Sequence, residues 1–161
     1  MPRLPDGEEL PRGSLQSGAR VARAGRSAPP MTTIVVAAAV IERADELLIT
    51  RRPQGVHLEG FWEFPGGKCE PGETLAACLV REIREELDVE VRVGEELFAT
   101  THTYAERRVR LHFLRCDLLG EPKPQMGQDM RWVQRHELGE LAFPPADAEL
   151  IQLLMDTGRD H

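Results

Sequence analysis

Three glutamates, Glu82, Glu85 and Glu86, lie at positions i, i+3 and i+4 of an uninterrupted segment and could together bind a divalent cation. Side chains at this spacing are neighbours on the surface of an α-helix. Neighbouring carboxylates repel one another, and a cation removes that cost; carboxylate oxygens are ligands that Mg²⁺ and Mn²⁺ prefer. The alternative, common for glutamate-rich helices, is a solvated acidic face.

The surrounding sequence predicts the helix and favours the metal site. Pro71-Gly72 precedes the segment, Thr74 can serve as N-cap, and neither Gly nor Pro interrupts Leu75–Leu87. At about 100° per residue, the apolar side chains fill an arc of roughly 140°. Glu86 falls inside this arc and Glu82 lies beside it, whereas a solvated face would lie opposite.

This segment and the loop before it resemble the Nudix box, G-x5-E-x7-R-E-U-x-E-E-x-G-U, in which U is apolar. The matching residues are Gly67, Glu73, Arg81, Glu82, Ile83, Glu85, Glu86 and Val89. One fixed position differs, because Asp88 stands where the family has Gly. The resemblance extends over about residues 33–155 and is strongest to the MutT-like 8-oxo-dGTP diphosphatases and the related cytidine-nucleotide pyrophosphohydrolases. It includes Arg51-Arg52, the run 62–68 and the run 143–147.

The resemblance implies a metal site and its supporting residues. Glu82, Glu85, Glu86 and the backbone carbonyl of Gly66 would bind Mg²⁺ or Mn²⁺. Arg81, four residues before Glu85, would orient a box glutamate through a salt bridge. Glu73 would support the loop or the metal site; an acid that interacts with the helix dipole is the alternative.

It also implies substrate contacts. Arg52 would contact the nucleotide phosphates, and Lys68 could reach a phosphate oxygen, although a surface lysine is as good an interpretation. Gly67 would let the backbone approach the ligand. Phe64 would line the base pocket, and a core position is the alternative.

Two positions differ from the MutT-like pattern. Asp147 stands where bacterial 8-oxo-dGTP enzymes carry an Asn that reads the base. An ionised Asp only accepts hydrogen bonds, so it would favour the amine of cytosine or the N–H edge of guanine; a helix N-terminal acid is the alternative. Met126 stands where relatives often have a Glu, so the general base is unassigned, with Asp129 and Glu121 as the nearest substitutes.

The implied activity is Mg²⁺-dependent hydrolysis of a nucleoside triphosphate to the monophosphate and pyrophosphate. The substrate would be 8-oxo-dGTP or a related oxidised purine nucleotide, in a role that sanitises the nucleotide pool. Hydrolysis of (d)CTP or a modified cytidine nucleotide is an alternative. A nucleotide-binding Nudix module without turnover is another.

Composition limits the other possibilities. Residues 1–30 carry five Arg against three acidic residues, whereas the remainder has 15 Lys and Arg against 24 acidic residues. An acidic domain disfavours nucleic-acid polymers as partners, and no apolar run is long enough to span a membrane. Three cysteines without a C-x-x-C pair predict neither a disulfide framework nor a zinc site, and therefore a reducing, cytoplasmic location. We expect a monomer or homodimer.

The elements that must position the site follow from periodicity. Residues 1–30 are rich in Pro, Gly and Arg and are expected to be disordered, with one Nudix domain over residues 31–158. The expected strands are Thr32–Ile41, Leu47–Arg52, Phe61–Phe64, Val89–Val93, Leu97–Thr103, Arg108–Leu118 and Met130–Val133, with a Gly66-Gly67 turn and a terminal helix over Ala146–Met155. The fold class is α/β: the Nudix fold, an α/β/α sandwich around a mixed β-sheet.

Overall fold

A computed structural model describes residues 32–53, 55, 60–103 and 105–158. The strands are β1 Thr32–Arg43, β2 Glu46–Arg51, β3 Trp62–Glu63, β4 Gly66–Lys68, β5 Val91–Thr103, β6 Arg107–Leu118 and β7 Asp129–Gln134. The helices are α1 Leu75–Leu87 and α2 Ala148–Gly158, with 3-10 turns at Arg135–Glu140 and Pro145–Asp147. The expected disorder of residues 1–30 lies outside the described residues.

The strands form a mixed sheet in the order β3-β2-β1-β6-β5, with β4 paired to β1 and β7 paired to β2. β1 and β6 are parallel, whereas β1 pairs antiparallel with β2 and β4. The predicted α/β class with a mixed sheet is therefore confirmed. Among the described residues, no helix is long and apolar enough to cross a membrane.

β1 is buried on both faces and separates two apolar clusters. Val36 belongs to the cluster that contains Leu150 of α2, whereas Ala37 belongs to the cluster that contains Leu79 of α1. Successive side chains of a strand point to opposite faces. The two helices therefore cover opposite faces of the sheet, as the sequence predicted.

α1 begins and ends where the sequence predicted. The Thr74 hydroxyl accepts a hydrogen bond from the Ala77 N–H at 3.0 Å, which makes Thr74 the N-cap. At the other end, Asp88 has φ 53° and ψ 46°, the left-handed conformation, and its N–H donates to the Arg84 carbonyl. Glycine is the usual residue at such a helix end. Asp88 therefore adopts the left-handed conformation at the position where the family pattern has Gly.

Three expected boundaries are wrong. Gly66–Lys68 is a strand and not a turn, because it pairs with β1 through Ala38 and Ala37. Residues 91–103 form one strand, with irregular pairing between Val93 and Phe98, where two strands were expected. The terminal helix begins at Ala148, after a 3-10 turn.

The expected absence of a disulfide is also wrong. Cys69 and Cys78 are disulfide-bonded, with 5.2 Å between their Cα atoms and a sequence separation of nine. The end of β4 and the early turns of α1 come together only when the helix packs on the sheet. Cysteine spacing could not reveal this contact. Cys116, the remaining cysteine, is buried and unpaired.

Candidate active site

The three box glutamates lie at different depths on α1. Glu86 is only 5% exposed, although its side chain carries a carboxyl group, as its position within the apolar arc predicted. The side chain of Glu82 is 16% exposed and that of Glu85 is 59% exposed. The acidic face therefore runs from the protein interior to solvent.

Glu82 and Glu86 form a pair of mutually contacting acids. The pKa of Glu82 is raised, first by burial and also by the nearby charge of Glu85, while hydrogen bonds with Arg81 and with the Glu86 side chain oppose this rise. Two carboxylates in contact in a buried place cannot both ionise cheaply. A proton or a cation must lie between them.

Arg81 connects the loop to the helix. Its Nε and Nη2 donate to the two carboxylate oxygens of Glu73 at 2.8 and 2.9 Å, and its Nη1 donates to Glu82 at 2.7 Å. Its Nη2 also donates to the Lys68 carbonyl at 3.1 Å. Glu85, the residue one helical turn away, is 3.8 Å distant. The salt bridge expected of Arg81 is thus made chiefly with Glu73 and Glu82.

Glu73 holds Arg81 in place and also closes its own loop. Its carboxylate accepts the Glu70 N–H at 2.9 Å. Hydrogen bonds from Arg81, followed by the one from Glu70, lower the pKa of Glu73 to about 2. Glu73 is therefore ionised at any pH at which the protein would work.

The β4 backbone lies against Glu82 because position 67 has no side chain. A Cβ placed on Gly67 would lie 2.2 Å from Oε1 of Glu82, and one placed on Gly66 would lie 2.1 Å from the Ala37 carbonyl oxygen. Both positions therefore require glycine. The result is a peptide strand beside the carboxylate of Glu82, which in turn contacts Glu86, and this set of hard oxygen donors suits Mg²⁺ or Mn²⁺.

Arg52 lies on the α1 side of the sheet. Leu48 of β2 belongs to the α1 cluster. Arg52 directly follows β2, and its N–H still donates to the Phe61 carbonyl, so the alternation of side chains continues to Arg52. Arg52 is 6% exposed, and its Nη1 is 3.3 Å from Oε1 of Glu63, which is equally buried. Lys68 is exposed at the end of β4.

Phe64 and Asp147 lie on the α2 side. Phe64 is fully buried, stacked on Phe143 at 5.5 Å and edge-on to Phe113 at 6.1 Å. Asp147 is also fully buried, and neither carboxylate oxygen accepts a hydrogen bond from the described part of the chain. Burial raises its pKa to about 6. A buried acid without partners is costly, so this position calls for a ligand or a functional explanation.

The nearest substitutes for a general base are already engaged elsewhere. Asp129 accepts a hydrogen bond from Nε of Arg51 at 2.9 Å, and Glu121 lies 3.4 Å from Arg43; both acids are mostly exposed. Met126 is 46% exposed. The general base therefore stays unassigned.

Sequence reasoning did not single out Glu63 or Gln128, which are both buried and polar. Glu63 lies within the run that carried the family resemblance, but its pairing with Arg52 depends on the register of β2 with β3. Gln128 is 9% exposed and bonds the backbone of Glu86. Neither has a local sequence pattern, because both contacts join distant segments.

A mixed sheet between two helices, with buried acids on one helix beside a glycine strand, is suited to binding polyphosphates through a divalent cation. The NUDIX domain model matches residues 36–153, and the chain belongs to this family of hydrolases. The predicted family membership is confirmed.

Named relatives fall in both branches that the sequence suggested. The CTP pyrophosphohydrolase of Escherichia coli is 36% identical over 126 residues, covering 78% of this chain and 93% of that protein. The 8-oxo-dGTP diphosphatase of Haemophilus influenzae is 36% identical over 126 residues, covering 76% and 92%. The solution structure of the E. coli ORF135 protein has a TM-score of 0.72 at 36% identity, covering 80% of this chain and 94% of that one.

Proposed function

We propose that this protein is a Mg²⁺-dependent pyrophosphohydrolase that converts a nucleoside triphosphate to the monophosphate and pyrophosphate. The preferred substrate is 8-oxo-dGTP or a related oxidised purine nucleotide, and the role is to remove such nucleotides from the nucleotide pool. The observation that carries the proposal is the contacting pair of acids, Glu82 and Glu86, beside Gly67. The similarity to 8-oxo-dGTP diphosphatases supports the choice of substrate.

The metal would be held by Glu82, Glu85, Glu86 and the carbonyl oxygen of Gly66, with Mn²⁺ as an alternative to Mg²⁺. When bound, such an ion offsets the charge that builds on the leaving phosphate and lowers the pKa of an attacking water. Arg81 and Glu73 keep Glu82 in position through their ion pairs.

The substrate would be oriented by residues on both sides of the sheet. Arg52 and Lys68 would bind the phosphates, and Phe64 and Asp147 would bind the base. At neutral pH, Asp147 is mainly ionised, because its pKa is about 6, so it accepts hydrogen bonds from a base edge that carries N–H groups.

The second candidate is hydrolysis of (d)CTP or a modified cytidine nucleotide. Asp147 supports it, since the exocyclic amine of cytosine can donate to a buried carboxylate, and the E. coli relative is named a CTP pyrophosphohydrolase. The test is a nucleotide panel with Mg²⁺ in which pyrophosphate is counted. We expect faster turnover of 8-oxo-dGTP than of dGTP and dCTP. Fast (d)CTP hydrolysis with no preference for 8-oxo-dGTP would make the cytidine nucleotide the better candidate substrate.

The variant Glu86→Gln distinguishes an enzyme from a nucleotide-binding module without turnover. We expect this change to lower kcat by at least about 100-fold, because a buried metal ligand is lost. Glu90→Gln is the matched control: it removes the same charge from an exposed pair with Arg84 and is expected to leave kcat unchanged. A wild-type protein that releases no pyrophosphate from any nucleotide would contradict the enzymatic proposal.

We expect this site to bind a small nucleotide and not a nucleic-acid polymer. A monomer or homodimer is sufficient, since every residue assigned above comes from one chain.

A further inference from the structure

The segment after β6 covers the C-terminal end of α1. The last carbonyls of a helix have no partners within the helix. Here the Leu87 carbonyl accepts the Lys123 N–H at 2.7 Å, and the Glu86 carbonyl accepts the Gln125 N–H at 2.9 Å. The Glu86 carbonyl also accepts a hydrogen bond from Nε2 of Gln128 at 3.2 Å.

Gln128 uses both ends of its side-chain amide. While Nε2 donates to the helix, Oε1 accepts the Met126 N–H at 2.7 Å. The side chain is 9% exposed, so these bonds are largely shielded from water. A side chain that both donates and accepts is needed for this bridge, and a leucine of similar size would remove both of these hydrogen bonds.

We propose that Gln128 is a positioning residue for the metal site, because it fixes the backbone of Glu86. Glu86 is the penultimate residue of α1, where helices fray. A metal ligand must keep its place to within about 0.5 Å. Two hydrogen bonds to the Glu86 carbonyl hold this last turn against the 123–128 segment. The inference rests on the proposed function, in which Glu86 binds the metal.

The bridge does not depend on the side chain at position 126. Gln128 binds the backbone N–H of Met126, and the methionine side chain is exposed. The segment can therefore support Glu86 although position 126 carries no acid.

The test measures Mn²⁺ binding without nucleotide, by the loss of the electron paramagnetic resonance signal of free Mn²⁺. Gln128→Leu removes both bonds of the bridge. Gln128→Glu keeps the acceptor for Met126 and replaces the donor to Glu86 by an oxygen. Residues that orient metal ligands typically contribute 10–100-fold to metal affinity. We therefore expect both variants to raise the Kd for Mn²⁺ by about tenfold or more.

Gln125→Leu is the matched control. Gln125 lies in the same segment, but its Nε2 donates to the Lys123 carbonyl at 2.8 Å, within the segment and exposed to solvent. We expect its Kd for Mn²⁺ to stay within about twofold of the wild-type value, because its backbone bond to Glu86 is retained. With nucleotide, the Gln128 variants should need more Mg²⁺ for half-maximal rate but keep the wild-type KM at saturating Mg²⁺.

The outcomes separate the inference from the proposed function. Wild-type Mn²⁺ affinity in Gln128→Glu, with a metal-free Tm like that of the wild type, overturns the positioning role alone. A wild-type protein that neither binds Mn²⁺ nor releases pyrophosphate overturns both. If Gln128→Leu fails to fold, Gln128→Glu, which keeps the side chain's shape, decides the question.

Discussion

Gly67→Ala should disable the site without removing any of its ligands. The new Cβ would lie 2.2 Å from Oε1 and 2.4 Å from Cδ of Glu82. To reach an ordinary carbon–oxygen contact, the carboxylate must retreat by about 1 Å. Gly67 lies outside the left-handed backbone region, so alanine adds no backbone strain, and the effect falls on Glu82.

The magnitude follows from that displacement. A shift of about 1 Å in a catalytic group can cost about 100-fold in rate, equal to about 2.7 kcal/mol of transition-state stabilisation. The 2.7 Å bond between Arg81 and Glu82 would stretch as well. Because Arg81 retains both bonds to Glu73, we expect the free energy of unfolding to fall by no more than about 2 kcal/mol.

The assay is pyrophosphate release at saturating Mg²⁺, together with chemical denaturation. Gly139→Ala is the control, because its Cβ would meet only the flexible end of Met155 at 3.3 Å. We expect kcat to fall by about 100-fold in Gly67→Ala and to be unchanged in Gly139→Ala. A Gly67→Ala enzyme within twofold of the wild-type kcat would refute the reasoning that Glu82 must lie where it does.

Three further predictions concern stability. Asp88→Gly should raise the free energy of unfolding by about 1 kcal/mol, because it removes the strain of a left-handed non-glycine residue; Asp88→Ala, which keeps the Cβ, should give no gain in the same urea titration. Reduction of the Cys69–Cys78 disulfide, which joins residues nine apart, should lower stability by about 2.6 kcal/mol through the entropy of the unfolded chain. Dithiothreitol should not affect the Tm of the Cys69→Ser variant. If dithiothreitol lowered the Tm of this variant as much as that of the wild type, the Cys69–Cys78 disulfide would not be the cause. Burial raises the pKa of Asp147 from its ordinary value of 3.8 to about 6. Its contribution to the free energy of unfolding is therefore greatest below about pH 4 and is lost as the pH rises through about 6. This loss amounts to at most about 3 kcal/mol. The stability of Asp147→Asn relative to wild type should therefore increase between pH 4 and pH 7.5 in denaturant titrations, and a constant difference would show that Asp147 does not titrate in this way.

Local pattern was sufficient wherever one element decides the outcome. The helix Leu75–Leu87 was bounded correctly, because its N-cap and its apolar arc are properties of one segment. The same arc placed Glu86 in the interior before any partner was known. The apolar run Thr32–Ile41 correctly indicated the first strand.

Contacts between distant segments were not accessible in this way. The Cys69–Cys78 bond and the bridge from Gln128 to Glu86 each depend on where one element packs against another. Arg81 shows the same limit within the box: its helical neighbour Glu85 was an obvious partner, but the loop brings Glu73 closer.

The sequence alone determined the family, the acidic helix and which of its glutamates is buried, because residue spacing along a regular helix fixes direction relative to the core. Only the tertiary structure decided which groups those acids touch, that Gly67 must lack a side chain, and that Asp147 is buried without a hydrogen-bond partner among the described residues. These features depend on distances between segments that are far apart in sequence, and such distances are set when the two helices pack on opposite faces of the sheet.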